Sequence, residues 1–122
     1  MTDLAQEVLR IDQKILACHV VDEKGDMVSR AAARGYPEDL NSDGELAKKW
    51  GAWLVVLISL VRQFDSTISE VEYLVIVRKR FTGLIIPLGQ QGAAGIVLPK
   101  GENAHAIAEK VRRHLIERGT IH

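Results

Sequence analysis

The segment that most constrains this chain runs from Trp50 to Val61, WGAWLVVLISLV, in which only Gly51 and Ser59 lie outside the apolar set. An apolar run of this length is too short to span a bilayer and is more typical of a buried core helix. A helix that is apolar around most of its circumference must be covered on more than one side. Because a small domain offers a single core, we expect the second covering surface to come from another copy of the chain.

Composition and charge narrow the class of protein. The chain has 122 residues, 47% of them hydrophobic and 26% charged, which predicts a single globular domain over residues 1–122. The 16 basic and 16 acidic residues cancel, which argues against non-specific attraction to nucleic acid or an anionic membrane. One cysteine, no export signal and no segment long enough to span a membrane favour a cytoplasmic protein.

Hydrophobic periodicity and turn residues predict the order helix, two strands, helix, three strands, helix. Asp3 is expected to cap the first helix, Gly25 to supply a positive φ in a hairpin turn, Pro99 to stop the last strand and Gly119 to end the last helix. Strands joined by short turns are antiparallel, so the economical architecture is an α+β fold with one five-stranded antiparallel sheet and flanking helices. The predicted elements are a helix over about 3–13, strands Ile15–Asp22 and Met27–Arg34, a loop Gly35–Gly44, a long helix from about Glu45 to Phe64 capped by Asp43, strands Glu70–Arg78, Phe81–Gly89 and Ala93–Pro99, and a helix before Gly119.

Two adjacent apolar faces can be separated on the long helix by plotting 100° per residue. The first is a tight stripe suited to packing on a sheet, formed by Leu46, Trp50, Trp53, Leu57, Leu60 and Phe64. The second starts with small residues and consists of Ala47, Gly51, Leu54 and Ile58. Because small residues let a second backbone come close, we predict that the first stripe packs on the chain's own sheet and the second on a partner copy.

The hairpin VVDEKGDMVSR after a short helix, and the run YLVIVRKRFTGLIIPLGQQ…IVLP before a terminal helix, resemble the roadblock (dynein light chain type) family over about residues 3–118. The resemblance implies a profilin-like fold, pairing of the long helix and an edge strand across a two-fold axis, and a non-catalytic role as a platform for small GTPases, motor complexes or signalling partners. Carried over by position, it implies a dimer interface at Ala47, Gly51, Leu54, Val55 and Ile58 on the helix and at Val71, Tyr73 and Val75 on the joining strand Val71–Val77.

The sequence predicts neither catalytic residues nor a metal or cofactor site. His19, His105, His114 and His122 lack the spacing of metal ligands, and Cys18 and His19 are adjacent on a strand and so point to opposite faces. Cys18 is expected in the core. Gly89, Gly92 and Gly95 are interpreted as turn glycines, because a phosphate-binding loop needs a helix directly after it and a strand is predicted there.

Arg78, Lys79 and Arg80 form a charged turn that admits two interpretations: contact with an anion or an acidic partner, or a solvated turn that discourages edge aggregation. Three functions remain open. The first is a dimeric roadblock-like scaffold that docks or regulates a small GTPase or similar signalling protein. The alternatives are a small-molecule-sensing regulatory module with a profilin-like or PAS-like sheet, and a nucleic-acid-associated subunit that uses the charged turn.

Overall fold

A computed structural model of the chain describes residues 3–36, 44–89 and 92–122. In this part of the chain the elements are α1 Leu4–Leu9, β1 Ala17–Val21, β2 Met27–Ala32, α2 Gly44–Arg62, α3 Asp65–Ile68, β3 Leu74–Val77, β4 Phe81–Pro87, β5 Ala93–Pro99 and α4 Ala104–Glu117. The predicted order is confirmed, with the addition of the short α3 where the sequence predicted a connection. The Asp43 cap, most of the Gly35–Gly44 loop and the turn residues 90–91 lie outside the described residues.

The strands of the described residues form one sheet in the order β2-β1-β5-β4-β3, and every neighbouring pair is antiparallel. This confirms the predicted antiparallel architecture. Strands β2 and β3 are the two edges. β2 lies against α1, where the Ala5 N–H donates to Ser29 Oγ at 2.9 Å.

The predicted terminal signals are confirmed. The Asp3 carboxylate accepts a hydrogen bond from the Gln6 N–H at 3.3 Å, as an N-cap does. Gly25 in the β1–β2 turn has φ +88°, and Gly119 directly after α4 has φ +82°. β5 ends at Pro99. Other predicted bounds were wrong: α1 ends at Leu9 and not near residue 13, and β3 begins at Leu74 and not at Glu70.

Helices cover the sheet on both faces. On one face α1 and α4 pack on the larger apolar cluster, which contains Val8, Cys18, Leu84, Ile96 and Val111. On the other face α2 packs on a smaller cluster of Val21, Leu54, Ile58, Ile85 and Ala93. Alternation along the strands explains the division, since successive residues such as Leu84 and Ile85 point to opposite faces.

The predicted assignment of the two α2 stripes is wrong. Leu54 and Ile58, expected at a partner copy, are 1% and 4% exposed and pack on the chain's own sheet. Trp53, Leu60 and Phe64, expected on the sheet, are 62%, 54% and 56% exposed. The side chains of Leu46 and Ala47 lie outside the described part of the chain.

The physical reason for the reversal is a close approach of α2 to the sheet. A Cβ on Gly51 would clash with the carbonyl oxygen of Gly25, so the helix crosses the hairpin turn at backbone distance. A Cβ on Gly95 of β5 would lie 3.1 Å from Leu54 Cδ1 and 3.3 Å from Trp50 Nε1. The small residues therefore let the helix approach its own sheet. Of the bulky stripe, Trp53, Leu60 and Phe64 face outward, whereas Trp50 and Leu57 are half-buried against the sheet.

Candidate protein interaction surface

The outward side of α2 carries an exposed apolar stripe that consists of Trp53, Val56, Leu60 and Phe64, called the α2 stripe below. Trp53, Val56 and Leu60 recur at intervals of three and four residues, which places them on one side of the helix, and Phe64 follows two residues after the helix ends. Single exposed apolar residues are ordinary on a protein surface, whereas a continuous patch marks an interaction site. The spacing and exposure of the α2 stripe make it a candidate for such a site.

The stripe continues past the end of α2. Ile68 of α3 is 72% exposed, and a groove runs between the end of α2 and the chain leading into β3. Leu60, Val61, Phe64 and Val71 supply its apolar walls. The patch therefore reaches from α2 to the sheet edge that β3 forms.

Strand β3 extends this surface on the same face of the sheet as α2. Leu74 and Ile76 are half-buried and pack beside Leu57 on the α2-side cluster. Val77 at the end of the strand is 66% exposed, but alternation places its side chain on the opposite face, with Val75. An edge strand presents backbone N–H and C=O groups that can pair with another strand. The α2 stripe and the β3 edge therefore lie on the same side of the sheet, and the groove that ends at Val71 leads from one towards the other.

The predicted interface residues on the joining strand lie in different settings. Tyr73 and Val75 pack against the cluster on the opposite face, under α4. Val71 precedes β3, and its N–H donates to Asp65 Oδ1 at 3.3 Å. Val55 on α2 is half-buried beside Ile58 in a small cleft. Val75 lies on the edge strand β3, and Val71 and Tyr73 lie just before it, as predicted. Their participation in a dimer stays a prediction.

Two polar contacts bind the β3 region to α4. The Tyr73 hydroxyl and His105 Nδ1 are 2.6 Å apart, and their rings meet edge to face with centroids 5.7 Å apart. Arg112 Nη1 lies 2.8 Å from Glu72 Oε2. These contacts hold the beginning of the edge strand in a fixed position relative to the helix.

The charged turn Arg78, Lys79 and Arg80 is exposed and joins β3 to β4. The Arg78 N–H donates to the Phe81 carbonyl oxygen at 2.8 Å, which closes the hairpin around Lys79 and Arg80. The turn therefore lies at the end of the free edge, where its charges can act on whatever pairs with β3.

Cys18 and the glycine-rich segment, which the sequence analysis considered for chemistry, have structural roles in the described residues. Cys18 is fully buried, and burial raises the pKa of its thiol to about 12, so the reactive thiolate is suppressed. Strand β5 begins directly after Gly92, so Gly89 and Gly92 do not precede a helix that could bind phosphate. Among the described residues, no group of three or more His, Cys, Asp or Glu side chains is placed to hold a metal ion.

A further charged cluster joins α1 to α4. Glu7 Oε1 lies 3.1 Å from His114 Nε2 and 3.2 Å from Arg118 Nε. The hydrogen bond from His114, assisted by Arg118, lowers the pKa of Glu7 below its ordinary value, although desolvation opposes the shift. This cluster lies on the face away from α2 and serves to attach the helices to each other.

The sequence analysis missed the α2 stripe as the outward surface. The inward face of α2 is marked by two glycines on other elements, Gly25 beside Gly51 and Gly95 beside Leu54. The sequence contains these glycines, but it does not show that they contact α2. In the described part of the chain, no helix is both long and apolar enough to cross a membrane.

The fold of this chain is similar to that of several solved structures. The roadblock/LC7 domain from Streptomyces avermitilis is 12% identical and superposes with a TM-score of 0.69, covering 94% of this chain and 93% of that one. Myxococcus xanthus MglB is 10% identical, with a TM-score of 0.72 over 94% of this chain and 88% of that one. The chain has the roadblock fold. An MglB structure with a tetrameric arrangement is also similar, at 12% identity and a TM-score of 0.69 over 93% of this chain and 83% of that one.

The comparisons confirm the roadblock resemblance at the level of the fold. Searches with protein-family models and among curated proteins found no match. The likeness therefore rests on tertiary structure, and a roadblock sheet with its helices is maintained here at very low sequence identity.

Proposed function

We propose that this chain is a non-catalytic, cytoplasmic regulatory protein of roadblock type that acts as a homodimer and docks a small GTPase or a similar signalling protein. The observation that carries the proposal is the exposed α2 stripe, which lies on the same side of the sheet as the β3 edge. A helix face of this kind buried against its counterpart gives an interface with an apolar centre and a polar rim. The roadblock fold and the MglB structure with a tetrameric arrangement support self-association.

The dimer proposal replaces the interface predicted from sequence. Gly51, Leu54 and Ile58 are used by the chain's own sheet, so the proposed helix contact consists of Trp53, Val56, Leu60 and Phe64. The edge-strand part of the original prediction is retained, with Val75 at its centre.

The test is a charge placed in the middle of the α2 stripe. Leu60→Asp should weaken the dimer by roughly two to three orders of magnitude, because an uncompensated buried charge costs about 3–5 kcal/mol. Sedimentation velocity over a concentration series measures the change. Ser59→Asp is the matched control: it adds the same charge one residue away, at an exposed position off the stripe, and should leave the dimer intact. A wild-type chain that stays monomeric at high micromolar concentration contradicts the proposal.

The partner is tested separately by affinity capture from native lysate followed by mass spectrometry. We expect a small GTPase to co-purify with the wild-type dimer. Native mass spectrometry of the purified protein distinguishes the alternative, because a retained metabolite would favour a small-molecule sensor. Capture of no signalling protein, together with a retained metabolite, would replace the scaffold by that sensor.

A further inference from the structure

Helix α1 buries little apolar surface of its own. It has six residues, of which Ala5 and Val8 are buried and Leu4 and Leu9 are half-buried. A helix this short is marginal in water, so it persists only where the rest of the chain holds it. The two buried side chains are small, and the apolar area that attaches α1 to the sheet is correspondingly small. The polar contacts of α1 therefore contribute substantially to its attachment.

A row of ion pairs connects the segment before β1 to α4. Lys14 Nζ lies 3.1 Å from Glu102 Oε2, just before α4 begins, and Asp12 Oδ2 lies 2.9 Å from Lys110 Nζ on the helix. Glu7 supplies the third connection, to the cluster at the C-terminal end of α4. All of these pairs are partly exposed, and exposed ion pairs contribute little individually. The attachment to α4 therefore depends on the set.

A separate polar contact attaches α1 to the edge strand β2. Ser29 Oγ accepts a hydrogen bond from the Ala5 N–H at 2.9 Å, and the Ser29 hydroxyl donates to the Asp3 carboxylate. This contact joins α1 to the sheet and does not involve α4. A change at Ser29 therefore loosens α1 without altering any contact of α4.

Cys18 lies beneath α1. Its side chain is fully buried and belongs to the same cluster as the buried residues of α1. On this face α1 packs on β1 and β2, whereas α4 packs mainly on β4. Burial raises the pKa of the thiol, and the nearby charge of Asp3 raises it further. Since Cys18 is the only cysteine of the chain, a thiol reagent reports on the cover over this one position.

We propose that residues 3–14, which comprise α1 and most of its connection to β1, form a strap that opens as a unit while the sheet and α4 stay folded. The contacts of Glu7 and Ser29 keep it closed, and opening uncovers Cys18. Segments with few buried apolar contacts open at a lower free energy than the core of a domain. The fraction of open molecules is then set by the charges along the strap. The strap lies on the face opposite α2, so its opening does not require the proposed dimer.

The rate at which N-ethylmaleimide labels Cys18 at fixed pH measures this opening. Glu7→Gln removes the charge that binds α4, and Ser29→Ala removes the acceptor of the Ala5 N–H. Each should raise the labelling rate roughly three- to tenfold, because each weakens the closed state and leaves the open state unchanged. In the wild-type chain, low concentrations of urea should hardly alter the rate, since opening a short segment exposes little surface.

Two matched variants separate strap opening from other motions. Leu54→Ala lowers the stability of the whole fold from the opposite face, where Leu54 is buried under α2, and should leave the labelling rate unchanged. Glu109→Gln removes an exposed carboxylate of α4 and should also leave the rate unchanged. Circular dichroism verifies that each variant is folded.

Labelling that accelerates in Leu54→Ala as much as global unfolding does would overturn the strap, because Cys18 would then be exposed only when the whole chain unfolds. An effect of Glu7→Gln without an effect of Ser29→Ala would assign the opening to α4 and overturn it as well. The urea series needs no variant: a wild-type labelling rate with the full urea dependence of global unfolding contradicts the proposal. The oligomeric state decides the proposed function independently of all these outcomes.

Discussion

Gly51 lies where α2 crosses the tip of the β1–β2 hairpin, and a side chain there would collide with the Gly25 carbonyl oxygen. Single residues of this kind set the distances between layers. Glu7 has the corresponding role on the opposite face, since its carboxylate joins α1 to His114 and Arg118 of the α4 region. The close approach at Gly51 depends on the lack of a side chain there, so it does not respond to pH. The contacts of Glu7 depend on its charge, so they do.

Replacing Glu7 by Gln should reduce stability in a pH-dependent way. The pKa of Glu7 is lowered from its ordinary 4.5 by the hydrogen bond from His114, so the folded state binds its proton more weakly than the unfolded state does. The stabilisation is therefore present above pH 4.5 and is lost as pH falls through the lowered pKa. Urea unfolding of wild type and Glu7→Gln between pH 3 and about 7 should show a gap in the free energy of unfolding that closes in acid.

Glu109→Gln provides the control for this series, because Glu109 is an exposed carboxylate on the same helix as His114. Its effect should be small. A gap for Glu7→Gln that stays constant across the acid range would show that the Glu7 contacts do not depend on its charge.

Among the elements, α2 shows most clearly how far sequence reasoning reaches. Its existence and length follow from apolar periodicity, and so does the conclusion that it has two apolar faces. Which face turns inward does not follow, because Leu54 and Leu60 fit the helical period equally well. Contact with Gly25 and Gly95 decides the orientation, and those residues are distant in sequence. The caps and turns at Asp3, Gly25 and Gly119 were predictable because they depend on neighbouring residues, whereas the end of α1 and the start of β3 were not.

Truncating one leucine on each face of α2 should distinguish the two faces experimentally. Leu54→Ala should lower the free energy of unfolding by about 2–5 kcal/mol, since it leaves a cavity between α2 and the sheet. Leu60→Ala should leave the fold of each chain largely intact and weaken the dimer instead. Chemical unfolding and sedimentation velocity measure the two effects. A larger loss of folding stability in Leu60→Ala than in Leu54→Ala would restore the original assignment of the stripes.

For the whole molecule, the sheet has helices on both faces but is covered unequally. α1 and α4 enclose the larger cluster, whereas on the other face Leu74 and Ile76 of β3 are half-buried beside the α2 stripe. In the proposed dimer a second copy of the chain would cover this face. Dimerisation would then contribute to the stability of the folded chain.

Thermal stability should accordingly depend on protein concentration. If folded chains associate, Tm should rise by roughly 3 °C for each tenfold increase in concentration, as mass action favours the dimer. Differential scanning calorimetry from low to high micromolar concentration measures this shift. Leu60→Asp should abolish the dependence, and a Tm that is constant for the wild-type chain would indicate that unfolding does not involve dissociation.

The sequence by itself determined the helices and strands, their order, the antiparallel turns and the burial of Cys18, because those properties depend on near neighbours and on the alternation of apolar residues. It also indicated that the run from Trp50 to Val61 has more apolar surface than one face can use. Tertiary structure alone decided which side of that run faces outward. The reason is steric: Gly51 and Leu54 fit against glycines of the hairpin turn and of β5, and the bulky stripe led by Trp53 is left for another surface.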